Sequence, residues 1–194
     1  MRLFIAAEID AAVRARAAAV IGRLREAGGE GGNRRSVSWV APENLHVTLQ
    51  FIGEADPGTA RRIAEQLAPP FDTPAFDIAV AGVGAFPPAG QPRVVWLGVA
   101  DGGVPLAGLA REVNARLDQL GLPRDDRPFR AHLTIGRVKG RVGPGVRDAI
   151  AAARGVAVGR CRVEQVTLFE SRLSPRGSTY SVITTSPLGY HRAS

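Results

Sequence analysis

Apolar positions along this chain recur with two different periods, and the switches between them mark out its elements. Residues 2–9 are apolar nearly throughout and predict a buried first strand. From Asp10, a helix-capping residue type, Val13, Ala17, Val20, Ile21 and Leu24 recur at helical spacing as far as about Ala27. Gly28-Gly29-Glu30-Gly31-Gly32-Asn33 ends that helix as a flexible loop; no Gly-Lys-Ser/Thr follows, so it is not a Walker phosphate cradle. A strand over about 45–52, a helix opened by Pro57 and running to Leu67, and a glycine-bent strand over 75–85 come next. After Phe86-Pro87-Pro88 the plan starts again. A strand at Arg93–Val99 leads to an amphipathic helix over 104–120, with Leu106, Leu109, Val113, Leu117 and Leu120 on one face. A strand over 131–138, a helix over 144–154, a strand over Arg162–Arg172 and a last strand at Thr179–Thr185 complete the chain. Residues 189–194 form a polar tail that carries His191.

The restart carries a motif. His46-Val47-Thr48-Leu49 and His132-Leu133-Thr134-Ile135 both read His-x-Thr-aliphatic, and two of the chain's three histidines lie in them. In a strand, His and Thr at i and i+2 share a face while the residues between and after them point to the other. Each copy therefore presents one imidazole and one hydroxyl and anchors itself from behind. The order of elements around the two copies agrees, which predicts a duplicated strand–helix–strand–helix–strand unit. Two such lobes about a pseudo-twofold would bring both His-Thr strands to one central cleft.

Composition narrows the setting. A chain of 194 residues, 45% hydrophobic and 22% charged, suits an ordinary globular domain. No apolar run is long enough to span a membrane, and Glu8 and Asp10 follow the N-terminus too soon for a signal peptide; the expected location is cytoplasmic. Cys161 is the only cysteine and reads as a packed thiol, not part of a disulfide or a metal cluster. Net charge is +7, and all basic residues except Lys139 are arginine. Arginine forks suit phosphates, but the accompanying richness in Ala, Gly and Pro equally fits a compositional bias.

A facing pair of histidines can hold one proton between them: the neutral ring takes a proton from an attacking hydroxyl and the charged ring delivers one to a leaving oxygen. Thr48, Thr134 and a guanidinium can stabilise charge on a phosphoryl group. Arg137, at the end of the second motif strand, is the first candidate for that cation, and Arg130, two residues before His132, is the second. No carboxylate or thiolate sits at ligand spacing beside either motif, since Glu43 is three residues before His46 and Asp125 and Asp126 fall in a loop; no metal and no cofactor is expected.

The residues Arg2-Leu3-Phe4-Ile5-Ala6, Trp39-Val40, Glu43-Asn44-Leu45-His46-Val47-Thr48-Leu49, Phe51-Ile52-Gly53, Gly84-Ala85-Phe86-Pro87, Pro92–Gly98, Phe129–Arg137 and Leu168-Phe169-Glu170-Ser171 resemble the two-histidine phosphoesterases. Within them, they resemble the RNA 2′,3′-cyclic phosphodiesterases, historically called 2′-5′ RNA ligases. The likeness runs from Met1 to about Leu188. It implies a bilobal α/β (α+β) fold over residues 1–188, with two antiparallel sheets facing a central cleft and helices outside, and it implies no metal. It implies hydrolysis of a terminal RNA 2′,3′-cyclic phosphodiester to a 2′-phosphomonoester. By carry-over His132 is the proton acceptor, His46 the proton donor, and Thr48 and Thr134 hold phosphoryl oxygens with Arg137 assisting. The family also performs the reverse reaction, joining tRNA halves through a 2′-5′ linkage. A phosphodiesterase for a small cyclic phosphate, such as ADP-ribose 1″,2″-cyclic phosphate or a cyclic nucleotide, stays open, as does a non-catalytic RNA- or nucleotide-binding module. A monomer is expected, because the duplication already supplies the symmetry of a dimer.

Overall fold

The computed structural model describes residues 1–28, 36–122, 128–174 and 177–189. Residues 29–33 of the expected glycine loop, Asp125 and Asp126 of a later loop, and residues 190–194 of the expected tail, with His191, lie outside the described residues, whereas Gly189 ends β10. The strands are β1 (Arg2–Glu8), β2 (Val37–Trp39), β3 (His46–Glu54), β4 (Phe71–Pro74), β5 (Phe76–Phe86), β6 (Val94–Asp101), β7 (His132–Val138), β8 (Ala157–Val163), β9 (Gln165–Ser174) and β10 (Gly177–Gly189). Among the described residues, four α-helices interleave with them: α1 (Ala11–Glu26), α2 (Pro57–Leu67), α3 (Gly103–Asp118) and α4 (Pro144–Ala152). Two helix starts are written in the sequence. The Asp10 carboxylate accepts from the Val13 amide at 2.7 Å to cap α1, and Asp56 accepts from the Thr59 amide at 2.9 Å to cap α2, with Pro57 in the first turn.

The strands run in the order β4-β10-β9-β1-β3-β7-β6-β5-β8, with β2 beside β7. Every pairing is antiparallel except the short one between β4 and β10. The two expected sheets are the two halves of this path, and they touch through one residue pair, Val47 with Leu133. These two residues are the same position in the two repeats, so the pseudo-twofold passes between them. Both are fully buried, in a core cluster that runs through both halves and takes in Val13 of α1 and Leu106 of α3.

The halves are interlaced. The unit β1–α1–β3 matches β6–α3–β7, but each half is completed by a strand from the other repeat. β5 follows α2 and pairs with β6, whereas β9 follows α4 and pairs with β1. The helices cross over too: α1 packs on β8 and α4, and α3 packs on β3, β4 and α2. In place of the single strand expected over Arg162–Arg172 there are two strands in different halves, β8 and β9. Alternation of buried and exposed positions holds through Cys161, Arg162 and Val163 and then fails at Glu164 and Gln165, both exposed, where the chain leaves one half for the other. Cys161 is buried in β8, and burial raises its thiol pKa.

Candidate active site

The Val47–Leu133 pair orients the site. Both side chains enter the core, so alternation turns His46, Thr48, His132 and Thr134 to the opposite face of the sheet. An antiparallel register centred on that pair sets His46 against Thr134 and Thr48 against His132. The four sequence-predicted groups are thus brought together around the pseudo-twofold, side by side on neighbouring strands.

Each imidazole is held in one orientation. Nδ1 of His46 lies 2.7 Å from the Asn44 carbonyl oxygen, and Nδ1 of His132 lies 2.6 Å from that of Arg130. A carbonyl only accepts, so Nδ1 carries the proton in both rings and donates it. Nε2 is left as the reactive nitrogen on each side, and that of His46 sits 3.1 Å from the Thr48 hydroxyl. Rings hold the imidazoles as well. Phe4 stacks on His46 at 4.8 Å between centroids and Tyr180 meets its edge at 5.5 Å, while Phe86, which precedes a cis Phe86–Pro87 bond, meets His132 edge-on at 5.4 Å.

The same surroundings set the proton affinities. Burial, the largest influence, pushes both imidazoles below their ordinary value; the Asn44 and Arg130 carbonyls oppose it, and the Arg137 guanidinium reinforces it in both. Glu8 also pulls His46 upward, and His132 pushes it down. One cation acting on both rings locates Arg137 at the same cleft.

Strand parity alone would turn Arg137, an odd five residues after His132, into the core. A bulge prevents this. β6 pairs Trp96 with Thr134 and Val95 with Gly136, so Ile135 has no partner and the strand phase shifts by one. Val94 then faces Arg137 on the cleft side. The first half has the same bulge at the matching residue, since Ala6 pairs with Thr48 and Ile5 with Gln50, which skips Leu49. Arg130, the second candidate, is exposed at the rim, with its guanidinium carbon 5.7 Å from the centroid of the Phe86 ring. Its backbone carbonyl contributes more visibly than its charge, because that carbonyl orients His132.

Sequence reasoning missed the residues around His46. A pocket beside it is lined by Glu8, Arg14, Glu43, Asn44, Phe169 and Tyr180, among others. Phe4 and Phe169 sit in apolar strands and read as core in the pattern, yet they form a small separate cluster with Ala6 and Tyr180 on the cleft side. Among the described residues, no group of three or more His, Cys, Asp or Glu is placed to hold a metal ion, and no helix is long and apolar enough to cross a membrane.

Comparisons with known proteins bear on the family and the fold. The family model of the 2′-5′ RNA ligase superfamily matches residues 12–174. An RNA 2′,3′-cyclic phosphodiesterase from Archaeoglobus fulgidus is 42% identical over 180 residues, covering 93% of this chain and 96% of its own. A solved structure from Thermus thermophilus superposes with a TM-score of 0.79 at 27% identity, covering 99% of this chain and 100% of that one. The structure of E. coli LigT complexed with NADP+ gives 0.70 at 25% identity, covering 96% of each chain.

Proposed function

Because the chain belongs to the 2′-5′ RNA ligase superfamily, we propose that it hydrolyses the 2′,3′-cyclic phosphodiester at the end of an RNA to a 2′-phosphomonoester by acid–base catalysis between its two histidines. The observation that carries the reading is the quartet His46, Thr48, His132 and Thr134 on one face about the Val47–Leu133 pair, with Arg137 brought to it by the bulge at Ile135. The relative from Archaeoglobus fulgidus bears the name of this activity.

His132, neutral at Nε2, takes a proton from water as its oxygen bonds to phosphorus. The phosphorus–O3′ bond breaks on the opposite side, and the departing O3′ receives a proton from Nε2 of His46. Thr48 and Thr134 donate to the non-bridging oxygens, and Arg137 balances the charge that grows on them in the transition state. Arg130 meets the RNA at the rim. A 5′-hydroxyl in the place of water would give a 2′-5′ linkage with the same proton transfers, and so would join RNA ends such as tRNA halves. The imidazoles carry the chemistry without a metal ion or cofactor. On this reading residues 1–188 act as a single domain and a cytoplasmic monomer.

The test is product analysis on a short RNA ending in a 2′,3′-cyclic phosphate, with EDTA present. Wild type should yield the 2′-phosphate, and His46→Ala and His132→Ala should each lose about 10²- to 10⁴-fold in rate. A strict metal requirement, or undiminished turnover in either variant, would overturn the mechanism.

A further inference from the structure

The duplication offers an internal control on the site, because the residues of β1 and β3 have counterparts in β6 and β7. β1 and β6 are the equivalent neighbours of the two motif strands, and their registers match. Ala6 pairs with Thr48 as Trp96 does with Thr134, and Phe4 pairs with Phe51 as Val94 does with Arg137. Directly across from the histidines the two halves differ in charge: Glu8 faces His46, and Gly98 faces His132. The second half has no room for a side chain there. A Cβ on Gly98 would lie 2.9 Å from the Ala81 carbonyl oxygen and 3.3 Å from the Trp96 ring.

Glu8 is also anchored. Its Oε2 accepts from the hydroxyl of Thr167 at 2.8 Å and from the side-chain amide of Gln165 at 3.1 Å, and Thr167 is fully buried. Directly opposite residues on antiparallel strands have their Cβ atoms about 4.5–5.5 Å apart. Both nitrogens of His46 are taken up by Asn44 and Thr48, so Glu8 acts on the ring through space.

We propose that Glu8 is a positioning residue that gives the two histidines different tasks: fixed across from His46, its carboxylate favours the protonated, donating form of that ring, while glycine at the matching place leaves His132 the acceptor. The proposal rests on the acid–base reading above. Among the described residues, the charged and titratable groups around His46 are Glu8 from β1, Arg137 and His132 from β7 and Tyr180 from β10, with Arg14 from α1 and Glu43 from the turn before β3 lining the pocket beside it. Of these, Arg137 and His132 disfavour the imidazolium and Glu8 favours it. Without Glu8, only the Asn44 carbonyl opposes the burial of His46 and the Arg137 guanidinium, and the productive state with His46 charged and His132 neutral becomes scarcer.

Well below both titrations His46 is charged in any case, so removing Glu8 changes nothing there. As pH rises, a more acidic His46 loses its proton earlier. The deficit in kcat/KM should therefore open with rising pH and level off at about 3- to 10-fold. The experiment compares wild type with Glu8→Gln and Glu8→Asp by NMR titration of both imidazoles and by kcat/KM against pH on the RNA cyclic phosphate. Glu8→Gln should move the His46 midpoint down and shift His132 less. Glu8→Asp, which keeps the charge, should restore most of the wild-type profile. An unmoved His46 midpoint, a deficit equal at every pH, or a Glu8→Asp variant as impaired as Glu8→Gln would overturn the proposal. If wild type does not turn over the RNA at all, the proposed function fails by itself, and the imidazole titrations still decide the role of Glu8.

Discussion

At the scale of single residues, both imidazoles lie where burial and one guanidinium lower their proton affinity. Burial and Arg137 both lower the two imidazoles, so replacing Arg137 by Ala should raise both titrations and move the pH–rate profile as a whole to higher pH. It should also cost about 10²- to 10³-fold in kcat/KM, the usual loss on removing a donor that stabilises transition-state charge. A profile displaced to lower pH would mean that Arg137 does not sit between the rings. The four motif residues were legible in the sequence because His-x-Thr obeys strand parity. Arg137 was legible as a residue type close to a motif, but its orientation was not. It depends on the bulge at Ile135, and a bulge leaves no trace in an apolar run that tolerates either phase. The aromatic wall of Phe4, Phe169 and Tyr180 was hidden for a different reason: a ring on a cleft face and a ring in the core give the same letter in the same kind of strand.

At the scale of elements, propensity and capping predicted the helices well, and what escaped were strands that exist only through tertiary partners. β4 is the short segment Phe71-Asp72-Thr73-Pro74, ending in proline, which no pattern marks as a strand. Glu112 of α3 holds it there, accepting from the amides of Asp72 at 2.8 Å and Thr73 at 3.1 Å and from the Thr73 hydroxyl at 2.8 Å. Burial pushes the Glu112 carboxyl up, but those donors together with Arg116 outweigh it and hold the pKa below its ordinary 4.5. A carboxyl depressed in the fold stabilises it above the unfolded pKa, and that share is lost as pH falls through the folded one. Glu112→Ala should cost about 1–3 kcal/mol at pH 7, the range for removing a charged acceptor of three hydrogen bonds at a half-buried place. In urea titrations the gap between variant and wild type should narrow as pH drops below the ordinary carboxyl range; a gap constant with pH would show that the clamp is not ionic. A second element-scale outcome concerns the β5–β6 pair, where Gly84 lies under the Trp96 ring and a Cβ would come within 2.2 Å of it. Gly84→Ala should displace the indole from beside Thr134 and lower both the melting temperature and kcat/KM, whereas an unchanged melting temperature would mean that the ring moves freely.

At the scale of the whole molecule, the repeat was visible in sequence as two histidines with matching surroundings, but its mode of assembly was not. A duplication invites the picture of two lobes, each folded from its own half of the chain. The observed exchange of β5 and β9 contradicts that picture, since the strand that completes each half comes from the other repeat. Nothing in the local pattern of β5 or β9 names its partner; the partner is fixed by which sheet edge remains open once the helices have crossed over. The interlacing has a thermodynamic consequence. A core continuous from Leu3 through Val47 and Leu133 to Val158 cannot lose one half without exposing the other, so unfolding should be a single cooperative transition. Trp39 and Trp96 both flank β7, so their fluorescence reports on the second half, while far-UV circular dichroism reports on the whole. The two probes should give coincident urea transitions. Leu133→Ala, at the pair that joins the halves, should shift both together by about 2–5 kcal/mol with the slope unchanged. A fluorescence transition that precedes the dichroism, in wild type or in the variant, would mean that the halves are separable, and the quartet at their junction would then depend on docking between two independent folds.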